Sequence, residues 1–204
     1  MKEKYSGKQV INAGEKFLSD DIFINKTQLN DALDILSYWR FSHESALENA
    51  LKMLEDISLK IDRKAIFAKR LKRFASIVKK LRRFPDMKLK NMQDIGGGRA
   101  IIANPKKLQK VVRELRRRPE FKNSNEKIRY KDYISSPKED GYRGYHLIGK
   151  FNNGLGGKRN IELQIRTRLQ HDWATTLEIV DLFTGQALKS NQGEANWKNF
   201  AIFL

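Results

Sequence analysis

No cysteine occurs among the 204 residues, so neither a disulfide framework nor a zinc–thiolate site is available. Histidine is scarce as well: His43, His146 and His171 lie too far apart in the chain to form a metal cluster by themselves, and any metal is expected to be bound through oxygen. Long apolar runs are missing. No stretch approaches the length needed to cross a bilayer, and the opening MKEKYSGKQV lacks the apolar middle of a secretory signal. A soluble, cytoplasmic protein with no membrane partner is expected. Acidic residues are outnumbered, 24 against 41 Lys and Arg, giving a formal net charge of +17, more than solubility requires and suited to attracting polyanions.

The excess is concentrated. Lys60 to Lys90 holds thirteen Lys or Arg against Asp62 and Asp86, and Lys106 to Arg118 holds seven against Glu114, which together equal the whole net charge. A single basic run is ordinarily a solvated face; two dense blocks point towards phosphate.

Periodicity divides the chain. Leu29, Leu33, Leu36 and Trp39, then Leu47, Ala50, Leu51 and Leu54, recur at helical spacing, with Thr27 as a cap. Asp62 is read as the cap of a further helix through Ile66, Leu71, Ile77 and Leu81, so the part from about 1 to 85 is expected to be helical, ending at Pro85. From about 86 to 183 strands alternate with helices. Arg99-Ala-Ile-Ile-Ala reads as a buried strand after a flexible Asp94-Ile-Gly-Gly-Gly run, and Pro105 opens a helix with Leu108, Val111, Val112 and Leu115 on one face. Strands are expected near Lys127–Tyr133, Tyr142–Phe151 and Arg159–Thr167, the last two joined as a hairpin through Asn152-Asn-Gly-Leu-Gly-Gly. Gly154 to Gly157 followed by Lys158 is a turn, since it lacks the spacing and hydroxyl of a phosphate loop. Helix returns from Leu169 to about Phe183 and again at about 194–204, where the apolar stripe Trp197-Lys-Asn-Phe-Ala-Ile-Phe-Leu fits either a last helix docked on the core or the cut end of a longer chain. The expectation is one α+β domain over residues 1–204, a mixed β-sheet flanked by helices.

Two acids lie on or beside strands. Asp94 precedes glycines that let backbone approach a ligand, and Glu162 alternates with Leu163 and Ile165, sharing its face with Gln164 and Arg166. With Arg99 and Lys131 nearby, two carboxylates among cations suit magnesium and a triphosphate; by residue type alone, surface salt bridges are the more ordinary reading.

Asp94-Ile-Gly-Gly-Gly-Arg99, Lys131-Asp-Tyr-Ile-Ser-Ser-Pro-Lys138, Gly141-Tyr-Arg-Gly-Tyr-His146 and Glu162-Leu-Gln-Ile-Arg-Thr167, in this order, resemble the signature of RelA/SpoT synthetase domains, and Arg70-Leu-Lys-Arg-Phe-Ala-Ser76-Ile-Val-Lys79 resembles their ATP-binding basic stretch. Together they cover about residues 65 to 180. The resemblance implies a nucleotidyltransferase-like fold and an ATP diphosphotransferase, a magnesium-dependent pyrophosphokinase moving diphosphate from ATP to a ribose 3′-hydroxyl. It implies that Arg70 and Arg99 sandwich the adenine, that Lys72, Ser76 and Lys79 hold phosphates, and that Asp94 binds the metal. Glu162 would orient or deprotonate the hydroxyl and share the metal, Tyr142 would stack on the acceptor purine, and Lys131, Lys138, His146, Gln164 and Arg166 would line the acceptor phosphates. Synthesis alone is expected, because a hydrolase domain has no room in this length.

The family's acceptors are GDP and GTP, giving the alarmone (p)ppGpp of the stringent response, and, in a toxic branch, the 3′-terminal adenosine of tRNA. The charge excess favours the tRNA acceptor end, with Lys79, Lys80, Arg82 and Arg83 as its surface, and hence a translation-inhibiting toxin of the toxin–antitoxin kind. Trp39-Arg40-Phe-Ser-His43 and Trp173-Ala-Thr-Thr-Leu-Glu178 resemble the stand-alone small synthetases and that branch; Ala174-Thr175 stands where the long bifunctional enzymes have Ala-Glu. An antitoxin protein or a C-terminal regulatory module is the partner such a protein implies. A non-catalytic basic RNA-binding protein is the reading from a different class.

Overall fold

The computed structural model describes residues 3–185; the helix expected at about 194–204 lies outside the described residues. In chain order the elements are α1 (Gly7–Lys16), α2 (Lys26–Phe41), α3 (Glu44–Ile61), β1 (Ile66–Leu71), α4 (Phe74–Arg83), β2 (Gly96–Ile102), α5 (Pro105–Arg116), β3 (Tyr130–Asp132), β4 (Tyr145–Asn152), β5 (Lys158–Thr167) and α6 (Arg168–Thr184). The strands form a five-stranded sheet in the order β1-β2-β5-β4-β3, and the fold is α+β with a mixed sheet. Among the described residues no helix is long and apolar enough to cross a membrane.

Contacts within the chain divide it into two compact units. The first takes the chain up to Met53, Ala68–Gly98 and Ile148–Leu163. Its core joins Val10 and Phe17 of the N-terminal region, Ala32, Leu36 and Trp39 of α2, Ile77 and Leu81 of α4, and Leu89, Met92 and Ile95, all buried. Ser6 starts α1 with a reciprocal capping box to Gln9, and Asn25 caps α2 by accepting from the Gln28 amide at 3.1 Å. α4 buries Ile77 and Leu81 and leaves Ser76, Lys79 and Arg83 exposed.

The second unit takes Leu54–Phe67, Arg99–Leu147 and the chain from Gln164 onward. α5 begins with Pro105 at its first turn, is capped by Asn104, and buries Leu108, Val111, Val112 and Leu115, as their spacing predicts. β3 pairs antiparallel with β4, setting Tyr130 opposite Leu147, Lys131 opposite His146 and Asp132 opposite Tyr145. Period-two alternation therefore puts Lys131 and His146 on one face and Tyr130, Asp132 and Tyr145 on the other. α6 follows β5 directly, since Thr167 accepts from the Gln170 amide at 3.3 Å and its own amide donates to Gln170 Oε1 at 2.9 Å.

Four sequence expectations change. The cap of α2 is Asn25, and Thr27 lies within the helix. The stretch read as helix after Asp62 is a strand, β1. Ala68, Lys69, Arg70 and Leu71 are good helix formers, but at the sheet edge backbone pairing outweighs propensity. Asp62 caps no following helix: its buried carboxylate accepts from the Ala103 amide at 2.7 Å and from Lys107 Nζ at 3.0 Å, within the second unit. The run Gly96–Gly98, expected to be flexible, is the start of β2. A Cβ on Gly96 would lie 2.6 Å from Ile161 Cδ1 and one on Gly98 would lie 2.8 Å from Leu163 Cδ2. These glycines therefore make room for buried side chains of β5, and that packing is what the sheet requires of them.

Candidate active site

In the first unit the decisive group is Asp94, on the short segment entering β2. Its Oδ2 accepts from Lys72 Nζ at 3.0 Å and its Oδ1 from Lys80 Nζ at 2.7 Å. The three side chains are only 21%, 16% and 27% exposed, so this is a half-buried two-lysine clamp. Burial alone would push the Asp94 carboxyl upward, but the hydrogen bonds and charges of the two lysines outweigh it and hold the pKa below the usual carboxylate value. Asp94 is therefore an ionised, acceptor-only oxygen pair in neutral solution.

β1 and α4 deliver those lysines. The Lys72 amide donates to Ile95 O at 2.7 Å, fixing the end of β1 beside the Asp94 segment. Arg40 of α2 then donates through Nε to Lys72 O at 2.8 Å. The helix that follows has Arg73 at its N-cap with no side-chain cap, so the first-turn amides at Phe74, Ala75 and Ser76 face an end suited to anions. Ser76 and Lys79 are exposed on that helix, and Arg70 is exposed on β1. Glu162 sits half-buried on β5 between Ile161 and Leu163, which are fully buried.

Of the residues expected to face tRNA, Lys80 is bound to Asp94, and Arg82 donates to Phe17 O at 3.0 Å and pairs with Asp20 at 2.7 Å. Arg83 lies over the Phe84 ring at 5.3 Å. Lys80 and Arg82 thus have structural duties in the first unit that charge counting alone does not reveal.

In the second unit a polar chain runs through Arg99, Gln164, Arg166, Tyr142 and His146. Arg99 Nη2 donates to Gln164 Oε1 at 3.3 Å, and Arg166 Nη2 donates to the same oxygen at 3.0 Å and to the Tyr142 hydroxyl. That hydroxyl is 2.7 Å from His146 Nε2. Tyr142, His146 and Arg166 are buried, at 4%, 7% and 3% exposure. The Tyr142 ring is covered by Arg166 at 4.6 Å and by Lys138 Nζ at 4.9 Å, a cation on an otherwise exposed residue. Lys138 and Tyr142 are joined by a tight turn in which the Lys138 amide donates to Tyr142 O at 3.2 Å and Gly141 takes φ +79°. Lys131 is exposed on the His146 face of β3.

Three contributions differ from the sequence expectations, which place Lys80 on a tRNA surface and give Arg40 and His171 no role in the site. Arg40 fixes the end of β1, Lys80 completes the Asp94 clamp, and His171 of α6 lies near Arg99 and Arg166; burial and then those two positive charges lower its pKa, keeping the imidazole neutral. Arg40 stands in a segment that resembles the small synthetases, and nothing in the spacing of the other two separates them from ordinary surface residues. Among the described residues no group of three or more His, Asp or Glu forms a ready metal cage.

Residues 69–179 match the model of the region found in RelA/SpoT proteins. The chain belongs to the RelA/SpoT family. That range holds every site residue named above from Arg70 to Arg166. Two curated Bacillus subtilis (strain 168) relatives are similar to this RelA/SpoT chain: GTP pyrophosphokinase YjbM, 36% identical over 111 residues, and GTP pyrophosphokinase YwaC, 34% identical over 115. Each alignment covers 52% of this chain, with 51% of the first relative and 52% of the second. The chain thus spans about half the length of the curated relatives it matches. Small alarmone synthetase 1 from Bacillus subtilis, solved bound to its product pppGpp, matches with a TM-score of 0.65 and 25% identity over 79% of this chain and 84% of that one. Small alarmone synthetase 2 from the same organism matches with a TM-score of 0.65 and 25% identity over 80% and 87%.

Proposed function

We propose that this chain is an ATP-dependent pyrophosphokinase that transfers the β,γ-diphosphate of ATP to the ribose 3′-hydroxyl of GDP or GTP. The observation that carries it is the Asp94 carboxylate held ionised between Lys72 and Lys80 inside the family-matched segment. A structural ion pair needs one partner; two lysines on one carboxylate leave positive charge for phosphates. The naming of both curated relatives as GTP pyrophosphokinases supports a guanine-nucleotide acceptor.

The residues fit magnesium. Asp94 and Glu162 offer oxygen donors only, Asp94 once Lys72 and Lys80 turn from it to phosphate oxygens, and with fewer than three acids grouped among the described residues the rest of the shell would fall to water and phosphate oxygens, as that ion prefers. When bound, the ion neutralises the triphosphate and the charge that builds on the departing AMP. Lys72, Ser76, Lys79 and the first-turn amides of α4 hold the phosphates, and Arg70 offers its flat face to the adenine. Glu162 takes the proton of the 3′-hydroxyl as the new O3′–Pβ bond forms and the Pα–O–Pβ bridge breaks, with its oxygen leaving on AMP. In the second unit Lys131, Lys138, His146, Gln164 and Arg166 receive the acceptor phosphates. Tyr142 offers its ring to the purine once Lys138, on its exposed turn, swings to the phosphates.

The charge of +17 keeps a second reading in view, transfer to the 3′-terminal adenosine of tRNA by a toxin with an antitoxin partner. The test is purified chain, magnesium and ATP labelled on the γ-phosphate, with GDP, GTP and deacylated tRNA offered separately. Label on the guanine nucleotides is the expected result; label on tRNA alone replaces the acceptor assignment. No transfer to any of them, with RNA retained, refutes the enzymatic reading in favour of simple RNA binding.

A further inference from the structure

Away from the Asp94 clamp, the first unit holds a cavity of about 430 Å³ whose lining includes Glu3, Trp39, Lys90, Lys150, Lys158 and Arg159. Arg159 is the unusual member. Its side chain is 3% exposed, and its guanidinium lies over the Trp39 ring at 4.0 Å. Nε donates to Ser42 Oγ at 2.8 Å and Nη1 pairs with Glu3 Oε1 at 2.9 Å, but among the described residues Nη2 finds no acceptor. The indole N–H of Trp39 is likewise buried and unsatisfied. Two buried donors without acceptors are costly unless something fills the need.

The charge points to what fills it. Four cations line the cavity against one carboxylate, Glu3, itself about a third exposed. His43, also on the lining, has its pKa lowered to about 4, mainly by burial and in smaller part by the charge of Arg159. Glu3 sits as an acceptor in this cradle, taking a second hydrogen bond from Asn153 Nδ2 at 3.3 Å, and a Cβ on Gly157 would collide with its carboxylate. The ligand the cavity asks for has several negative charges, accepts without donating, and is small enough for this space.

The geometry points to a second anion site, built on Arg159 and Trp39 with Lys90, Lys150 and Lys158 around it, that binds a phosphate-bearing small molecule by displacing Glu3. Di- and triphosphate groups, free or on a nucleotide, share the required chemistry. The assignment does not rest on the pyrophosphokinase reading.

Because Arg159 is buried and its replacement endangers the fold, the exposed lysines carry the test. Calorimetric titration of the full chain with inorganic tripolyphosphate is expected to show two classes of site. Lys150→Glu with Lys158→Glu should weaken one class at least tenfold and leave transfer from ATP unchanged, whereas Lys72→Ala with Lys79→Ala should remove the other. Glu3→Gln should tighten the first class about tenfold, since the competing carboxylate is gone. Repeating the titration with pyrophosphate and GTP separates free from nucleotide-borne phosphate. A single class abolished by Lys72→Ala with Lys79→Ala, or an isotherm unmoved by the Lys150 and Lys158 changes, overturns the assignment. Loss of tRNA retention with tripolyphosphate binding intact would do so too, by making the cavity part of a nucleic-acid track.

Discussion

Replacing Asp94 by Asn keeps the size of the side chain and removes the charge that holds Lys72 at 3.0 Å and Lys80 at 2.7 Å. Each pair has a gross attraction of about 4 kcal/mol at a surface-like dielectric, most of it offset by desolvation, so the two together should contribute about 2 kcal/mol net. Asp94→Asn should therefore lower the melting temperature by roughly 4–8 °C in a chain of this size, and added polyphosphate should restore part of it by taking the place of the lost anion. Turnover should fall far more, by about a thousandfold or beyond, because on the proposed assignment Asp94 positions the cations that stabilise charge at the transferring group. Both are read on one preparation, by thermal melting and by label transfer from ATP to GDP. Turnover within tenfold of the unaltered chain, with the melting shift present, would make Asp94 a structural ion pair and sink the site assignment. The effect should be flat from pH 5 to 8: a depressed carboxyl pKa gives stability that is present above the unfolded value of 3.8 and is lost only as pH falls through the lower folded value.

Glu162→Gln should abolish transfer with little change in melting temperature; retained turnover would remove it as the proton acceptor. Tyr142→Phe deletes the hydroxyl shared by Arg166 and His146 and should raise the acceptor KM about tenfold without altering that for ATP, and equal changes in both would contradict its assignment to the acceptor. Gly96→Ala should cost about 1–3 kcal/mol by pressing on Ile161, and trimming the neighbour in the Gly96→Ala, Ile161→Val pair should recover part of it; strictly additive losses would refute the steric cause. His43, with a folded pKa of about 4 against 6.5 unfolded, resists protonation when folded, so stability is full above pH 6.5 and falls as acid is added, by about 2 kcal/mol at pH 5. His43→Gln should flatten urea midpoints across that window; an unchanged acid limb would place the sensitivity elsewhere.

The strand–helix order from β2 to α6 was legible because its signals are local. Pro105 and the spacing of Leu108, Val111, Val112 and Leu115 define α5, and alternation about Glu162 defines the face of β5. β1 was not legible, since Ala68 to Leu71 satisfy helical and extended patterns alike and only pairing in the sheet separates them. The same holds for Asp62, read as a cap from its neighbours yet consumed by Ala103 and Lys107 some forty residues away.

Family, fold class and the residue types of the candidate site follow from the order of residues alone, because ordered motifs and short-range periodicity are written in adjacent residues. Folding alone sets which cations hold Asp94, that Lys80 and Arg82 are tied internally, that Tyr142 is covered by Lys138 and Arg166, and that among the described residues Arg159 is buried with a donor unmet. Those outcomes depend on distance and burial, and both are set by segments far apart in the chain.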